Sequence, residues 1–139
     1  MLNPPIPLLT DTESDIDNNG VVLRLKMGEV SLLLTADTMW EAESEFIARR
    51  ASLTSTVLKV AHHGSATSTT AEFLAVVNPR LAVISVGEEN PFGHPSDEVT
   101  DRLERKMRQE NIYRTDRHGT IELITNGQKL WLRLGSHDK

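Results

Sequence analysis

The amino-acid sequence predicts an α/β fold, a mixed sheet with helices packed on one of its faces. Three observations carry this expectation. Residues 57–61 and 81–86 are apolar at nearly every position, the pattern of strands covered on both sides. Helix-like segments alternate with strand-like ones through the middle of the chain. Hairpin signals stand towards both ends, at Met27-Gly28-Glu29 and at Asn126-Gly127.

Taken in order, residues 1–18 are rich in proline (Pro4, Pro5, Pro7) and then acidic (Asp11, Glu13, Asp15, Asp17), without sustained period. They read as a flexible lead-in. Residues 19–135 read as one folded unit. Residues 21–26 and 30–35 are β-rich runs joined by a glycine-containing turn, and residues 39–50 are helical by composition. After the short run at 57–60, the Ser/Thr cluster at 67–70 precedes a short helix, Ala71–Val77, which Asn78-Pro79 stops. Residues 81–86 are the second apolar strand. Ser96 caps a helix running to residue 110, whose stripe of Val99, Leu103 and Met107 recurs at i, i+4 and i+8. A brief strand, Ile112–Arg114, leads to the last hairpin, 120–125 and 128–134.

Length and composition narrow the function. A chain of 139 residues with 38% apolar residues is one folding unit. The absence of cysteine removes disulfides, thiolate metal sites and a cysteine nucleophile together. No apolar run approaches the ~18 residues of a membrane span, so this stretch is expected to be soluble. The formal net charge is −5 and the cations are scattered. Arg102, Arg105, Lys106 and Arg108 alternate with acids, as on a solvated helix face. A protein of this charge that handles phosphates would need metal ions to supply the positive potential.

Three segments each follow a predicted strand: Leu33-Leu-Thr-Ala-Asp37, Lys59-Val-Ala-His-His-Gly-Ser65 and Pro91-Phe-Gly-His-Pro95. Strand ends in α/β folds are where sites are built, because the sheet fixes the loop's first residue while the loop stays accessible. Asp and His are donors suited to divalent ions, and a carboxylate can bridge two of them. Each segment also has a plainer explanation. Asp37 alone is equally a helix N-cap, and His94 before a proline is a common loop residue. Two adjacent imidazoles are harder to dismiss, since burying them is costly unless they are bonded.

The order T-x-D, K-V-x-H-H-G-S and G-H-P resembles the carboxy-terminal half of the metallo-β-lactamase-like domain of the ComEC family of DNA-uptake channel proteins. Asn18-Asn19-Gly20 before the first strand, and Tyr113-Arg-Thr-Asp-Arg-His-Gly119 before the last hairpin, resemble the same family. The resemblance runs from about residue 18 to 134. It implies half of an αββα sandwich and a parent that hydrolyses phosphodiesters, DNA among them, with two divalent metal ions, Zn or Mn. It also implies an integral-membrane parent that carries this domain as a soluble part outside the bilayer. Carried over by residue, Asp37 would bridge the metals and His63 would be a terminal ligand. His62 and His94 would contact or protonate the phosphate, with Lys59 and Ser65 behind them. Such chemistry needs two cations to share the charge of an in-line displacement.

The sequence departs from the pattern at three points. Ala36 stands where the family has Gly, Ser96 stands where a second His is common, and no H-x-H-x-D-H motif is present. That motif belongs to the amino-terminal half of the domain, which is therefore an expected partner. The chain alone is expected to hold no metal stably and to be inactive. Three helices cover one sheet face only, so the chain alone is also expected to form a homodimer through the other, leaving residues 11–17 mobile. Two other functions fit the same residues: a different hydrolase of this superfamily, or a diverged, metal-free scaffold.

Overall fold

A computed structural model describes residues 1–135. Its centre is a five-stranded sheet in the order β1 (Leu23–Met27), β2 (Val30–Leu34), β3 (Val57–Lys59), β4 (Leu81–Ile84) and β5 (Ile112–Arg114). The first pair is antiparallel, set in register by the turn at Gly28, and the remaining three pairings are parallel. Helices α2 (Trp40–Ala48), α3 (Ala71–Val77) and α4 (Asp97–Lys106) form the crossovers. A single turn, α1 (Asp15–Asn18), precedes the sheet, and another, α5 (Thr115–His118), leads to the hairpin β6 (Ile121–Thr125) and β7 (Leu130–Leu134). The fold is α/β with a mixed sheet, consistent with half of an αββα sandwich.

The period-2 geometry of the strands sorts the two faces. Leu33, Leu58 and Ala82 are aligned across β2, β3 and β4, and with Ile84 they are fully buried. They share one core with Phe46 of α2, Phe73, Leu74 and Val77 of α3, and Val99 and Leu103 of α4. This is the helix-covered face. The opposite face carries Leu34, Lys59, Val83 and Tyr113 in one aligned row, all only half-buried. Leu23, Leu25, Leu32 and Leu81 extend it.

The last hairpin reaches that second face at the β1 end. Glu29 donates its N–H to the Gly127 carbonyl at 2.6 Å. The two turns touch so closely that a Cβ at Gly28 would lie 2.4 Å from the Gly127 oxygen, at a φ of +57° that itself favours glycine. Thr125 shares an apolar crevice with Leu25, Val30 and Leu32. Along the hairpin, Ile121, Leu123, Leu130 and Leu132 are half-buried, while Glu122, Ile124, Trp131 and Arg133 are exposed, the alternation of a ribbon with one covered side.

Residues 1–18 differ from the lead-in expected of their composition. Asn3 bridges to Val22 in antiparallel fashion, and its side-chain amide donates to the carbonyls of Asn18 and Gly20. Asn18 is fully buried, and its Oδ1 accepts from the backbone N–H groups of Met39 and Ala42. The N-terminal segment thereby caps α2, whose own first residue offers no side-chain cap. Asp15, expected among mobile acids, accepts from Thr12 and closes the turn that starts α1.

Candidate functional site at the strand ends

The three parallel strands β2, β3 and β4 end on the same edge of the sheet. The first two run directly into their segments, and six residues separate the end of β4 from the third, residues 91–95. After β2 the backbone turns through Ala36 in the left-handed region (φ +49°) to present Asp37. Asp37 does not cap a helix: the N-cap of α2 is Met39. The turn is fixed by Thr38, whose hydroxyl donates to the Thr35 carbonyl, and by Thr35, whose hydroxyl donates to the Lys59 carbonyl of β3.

After β3 the chain makes a short 3-10 turn, Ala61–Gly64, in which His62 and His63 both adopt positive φ, 47° and 54°. Left-handed backbone costs a non-glycine residue about 1 kcal/mol or more, and such outliers gather at functional sites. Several bonds hold the turn in place. His62 N–H donates to the Ala36 carbonyl, Ser65 N–H to the His62 carbonyl, and the Ser68 hydroxyl to the carbonyls of Ala61 and Ser65. Gly64 lies against Pro95 of the third segment, and Ser96 donates its N–H to the Gly64 carbonyl. The His-His turn and the Gly-His-Pro loop are therefore one packed unit.

Within this unit His63 Nδ1 lies 2.7 Å from the Ser85 carbonyl, to which it donates. With Nδ1 donating, the other ring nitrogen, Nε2, is left to face Asp37 Oδ1 at 3.5 Å. Two acceptors facing each other are reconciled by a proton on Nε2 or by a cation between or beside them. Both side chains are close to half exposed (47% and 44%). The His62 ring lies 6.0 Å from that of His94, edge to face. Its Nδ1 is buried and has no hydrogen-bond partner. Burial, and then the neighbouring His62 and His63, hold the His94 imidazole below its ordinary pKa.

Lys59 and Ser65 stand behind this cluster. The Lys59 ammonium donates to the Val60 carbonyl, and burial lowers its pKa against the opposing pull of Asp37. Ser65 is buried, and its hydroxyl bonds to the Thr67 hydroxyl and accepts the Thr67 N–H, so it serves the turn. Asp37, His62, His63 and His94 are thus gathered at one edge. Among the described residues, no three His, Asp or Glu side chains converge closely enough to hold a metal ion. Asp37 and His63 suit such an ion as two donors of an incomplete set.

Two supporting residues escaped the reading of the sequence. Asn90 brackets His94: its Oδ1 accepts the His94 N–H and its amide donates to the carbonyls of His94 and Gly87. The Asn-x-x-x-His spacing is the only signal of this, and it is a weak one. Glu43 of α2 is fully buried and accepts from Thr69 N–H, Thr70 N–H and the Thr70 hydroxyl, pinning the segment that follows the His-His turn. It falls on the inner face of a helix rich in Glu, where composition gives no means of singling it out.

The fold and the site together define half of an α/β sandwich with an acid–imidazole cluster at its strand ends. No protein-family model matches the chain. The chain is similar to ComE operon protein 3 of Bacillus subtilis, 38% identical over 106 residues, which are 76% of this chain and 13% of that protein. It is 36% identical over 111 residues to competence protein ComA of Neisseria gonorrhoeae, covering 78% of this chain and 16% of the relative. It is 42% identical over 94 residues to recombination protein 2 of Haemophilus influenzae, covering 68% and 12%. Two of these relatives are named for the ComE operon and for competence, and the third for recombination. The chain spans no more than about a sixth of the length of these relatives. Among its described residues, no helix is long and apolar enough to cross a membrane.

Proposed function

We propose that the chain is the carboxy-terminal half of a metallo-β-lactamase-like domain that hydrolyses phosphodiesters, DNA in particular, within a membrane-bound competence protein. The observation that carries this reading is the His63–Asp37 pair: an imidazole fixed through Nδ1 by the Ser85 carbonyl, its other nitrogen 3.5 Å from a carboxylate oxygen. A carbonyl behind a ligating histidine is the usual means of fixing its tautomer. Asp37 and His63 would hold divalent metal, Zn or Mn, with further donors from the amino-terminal half of the same domain. Metal bound there would supply Lewis acidity and a hydroxide nucleophile at neutral pH. The chain's own task is to place His62 and His94 against the phosphate, as donors to its oxygens or to the departing alkoxide. Lys59 adds positive charge from the sheet beneath.

The test uses the domain with its upstream segment. Asp37→Ala and His63→Ala should each remove bound metal and activity together, whereas His62→Ala should keep the metal and lower turnover at least tenfold. The 139-residue chain alone should not digest DNA with Mg, Mn or Zn. Metal lost in His62→Ala and kept in His63→Ala would exchange the two roles. Purification-stable digestion by the isolated chain, abolished by Asp37→Ala, would show that the other half is not required.

A further inference from the structure

We propose that Phe92 is a stacking platform for an unpaired nucleobase of the strand held at the histidine cluster, an inference that rests on the phosphodiester reading above. Phe92 is one of only three phenylalanines and is 77% exposed, while Phe46 and Phe73 are fully buried. Its ring lies nearly parallel to that of His94, with centroids 5.9 Å apart and 18° between the planes. The loop that carries it is held from both sides by the Asn90 side chain, which bonds to Gly87 and His94. The aromatic face is therefore presented from a braced loop.

Beside the ring is a mainly apolar crevice of about 180 Å³, lined by His63, Val86, Gly87, Asn90, Phe92 and His94. It shares His63, the partner of Asp37, with the site at the strand ends. A ligand that fits this juxtaposition is flat and apolar on its faces, able to bond an amide at its edge, and joined to a phosphate. A nucleotide has that chemistry, and any base can stack because every base has a π-face. Bases inside a duplex are already stacked on their neighbours, so the platform selects an unpaired strand. The chain's net charge of −5 supplies no general attraction for a strand, so its affinity for one would have to come from stacking.

The experiment is fluorescence anisotropy with a labelled oligothymidylate and an abasic oligomer of equal length, at low salt in EDTA, using the whole chain. The expected result is about tenfold weaker binding of oligothymidylate by Phe92→Ala, ~1.4 kcal/mol. Phe92→Trp should bind at least as well as the parent chain, and the abasic oligomer should be indifferent to Phe92→Ala. Unchanged affinity in Phe92→Ala, equal losses for the two oligomers, or no binding by the parent chain would overturn the proposal. A thermal melt of Phe92→Ala matching the parent's keeps folding out of the comparison. EDTA lets binding be read without hydrolysis, and stacking there combined with no cleavage by the intact domain supplied with Mn or Zn defeats only the hydrolytic reading.

Discussion

Gly64 is where residue-level constraint is sharpest. Its φ is +85°, and a Cβ there would lie 2.5 Å from Pro95 Cβ and 3.0 Å from Pro95 Cα. Neither neighbour can yield cheaply, because Pro95 is buried and adjoins His94. Gly64→Ala should therefore destabilise the chain by about 2 kcal/mol or more, read as a lower urea midpoint. It should also separate His94 from His62, which share the contact surface that Gly64 holds together. The sequence made the site's residue types legible through their places after β2, β3 and β4. It could not show the division of labour within His62-His63. That division depends on two left-handed backbone conformations and on the Ser85 carbonyl, which approaches from a different strand. Asn90 and Glu43 were illegible for a related reason: each acts on partners brought to it by the fold.

At the scale of elements, a buried carboxylate and an arginine together tie three helices to one loop. Glu43 of α2 accepts three hydrogen bonds from Thr69 and Thr70 at the start of α3, and Arg102 of α4 donates to the Ser68 carbonyl of the same segment. Burial pushes the Glu43 carboxyl up to about 7, against those bonds and the Arg102 charge. Its folded pKa thus lies above the ordinary 4.5. The folded state keeps a proton that the unfolded chain has shed between those values, so this contribution is complete below about pH 4.5 and is lost as pH rises through about 7. The unfolding free energy read from urea titrations should fall across that window by an amount on the order of 3 kcal/mol, and Glu43→Gln should flatten the dependence. A slope that survives in Glu43→Gln would place the titration elsewhere. The helices themselves were legible. Ala71–Val77 and the strand Ile112–Arg114 fall where the sequence put them, since caps and β-branched runs are local signals. The helix expected to continue to residue 110 ends at Lys106, and a separate turn, Gln109–Asn111, follows. Met107 leaves helical geometry for extended backbone there.

At the scale of the molecule, the helices cover one face of the sheet, and the last hairpin approaches part of the other. Apolar residues remain exposed on β1 and on the hairpin's outer side, Leu25 at 51%, Met27 at 55% and Trp131 at 48%. β1 is also an edge strand, with unpaired backbone groups along one side. The chain alone is proposed to self-associate through this region. Sedimentation velocity should show a dimer or larger species as concentration rises, and Leu25→Lys should shift it towards monomer. A compact monomer at every concentration would remove the proposal. The second face was anticipated from the uninterrupted apolar runs of β3 and β4. The approach of the hairpin was not, because nothing local at Asn126-Gly127 says which distant turn it will meet.

That meeting has a consequence for how the molecule breathes. The contact between Gly28 and Gly127 closes a long stretch of chain with one hydrogen bond at the tip, and the hairpin's other anchorage is near its root, where Thr115 bonds to Val86. Between those points the ribbon rests on its half-buried side of Ile121, Leu123, Leu130 and Leu132, so it can lift with its own ladder intact at lower cost than the sheet, whose opening exposes the whole core. Displacing the ribbon would uncover the apolar crevice that Thr125 shares with Leu25, Val30 and Leu32 at the β1 end.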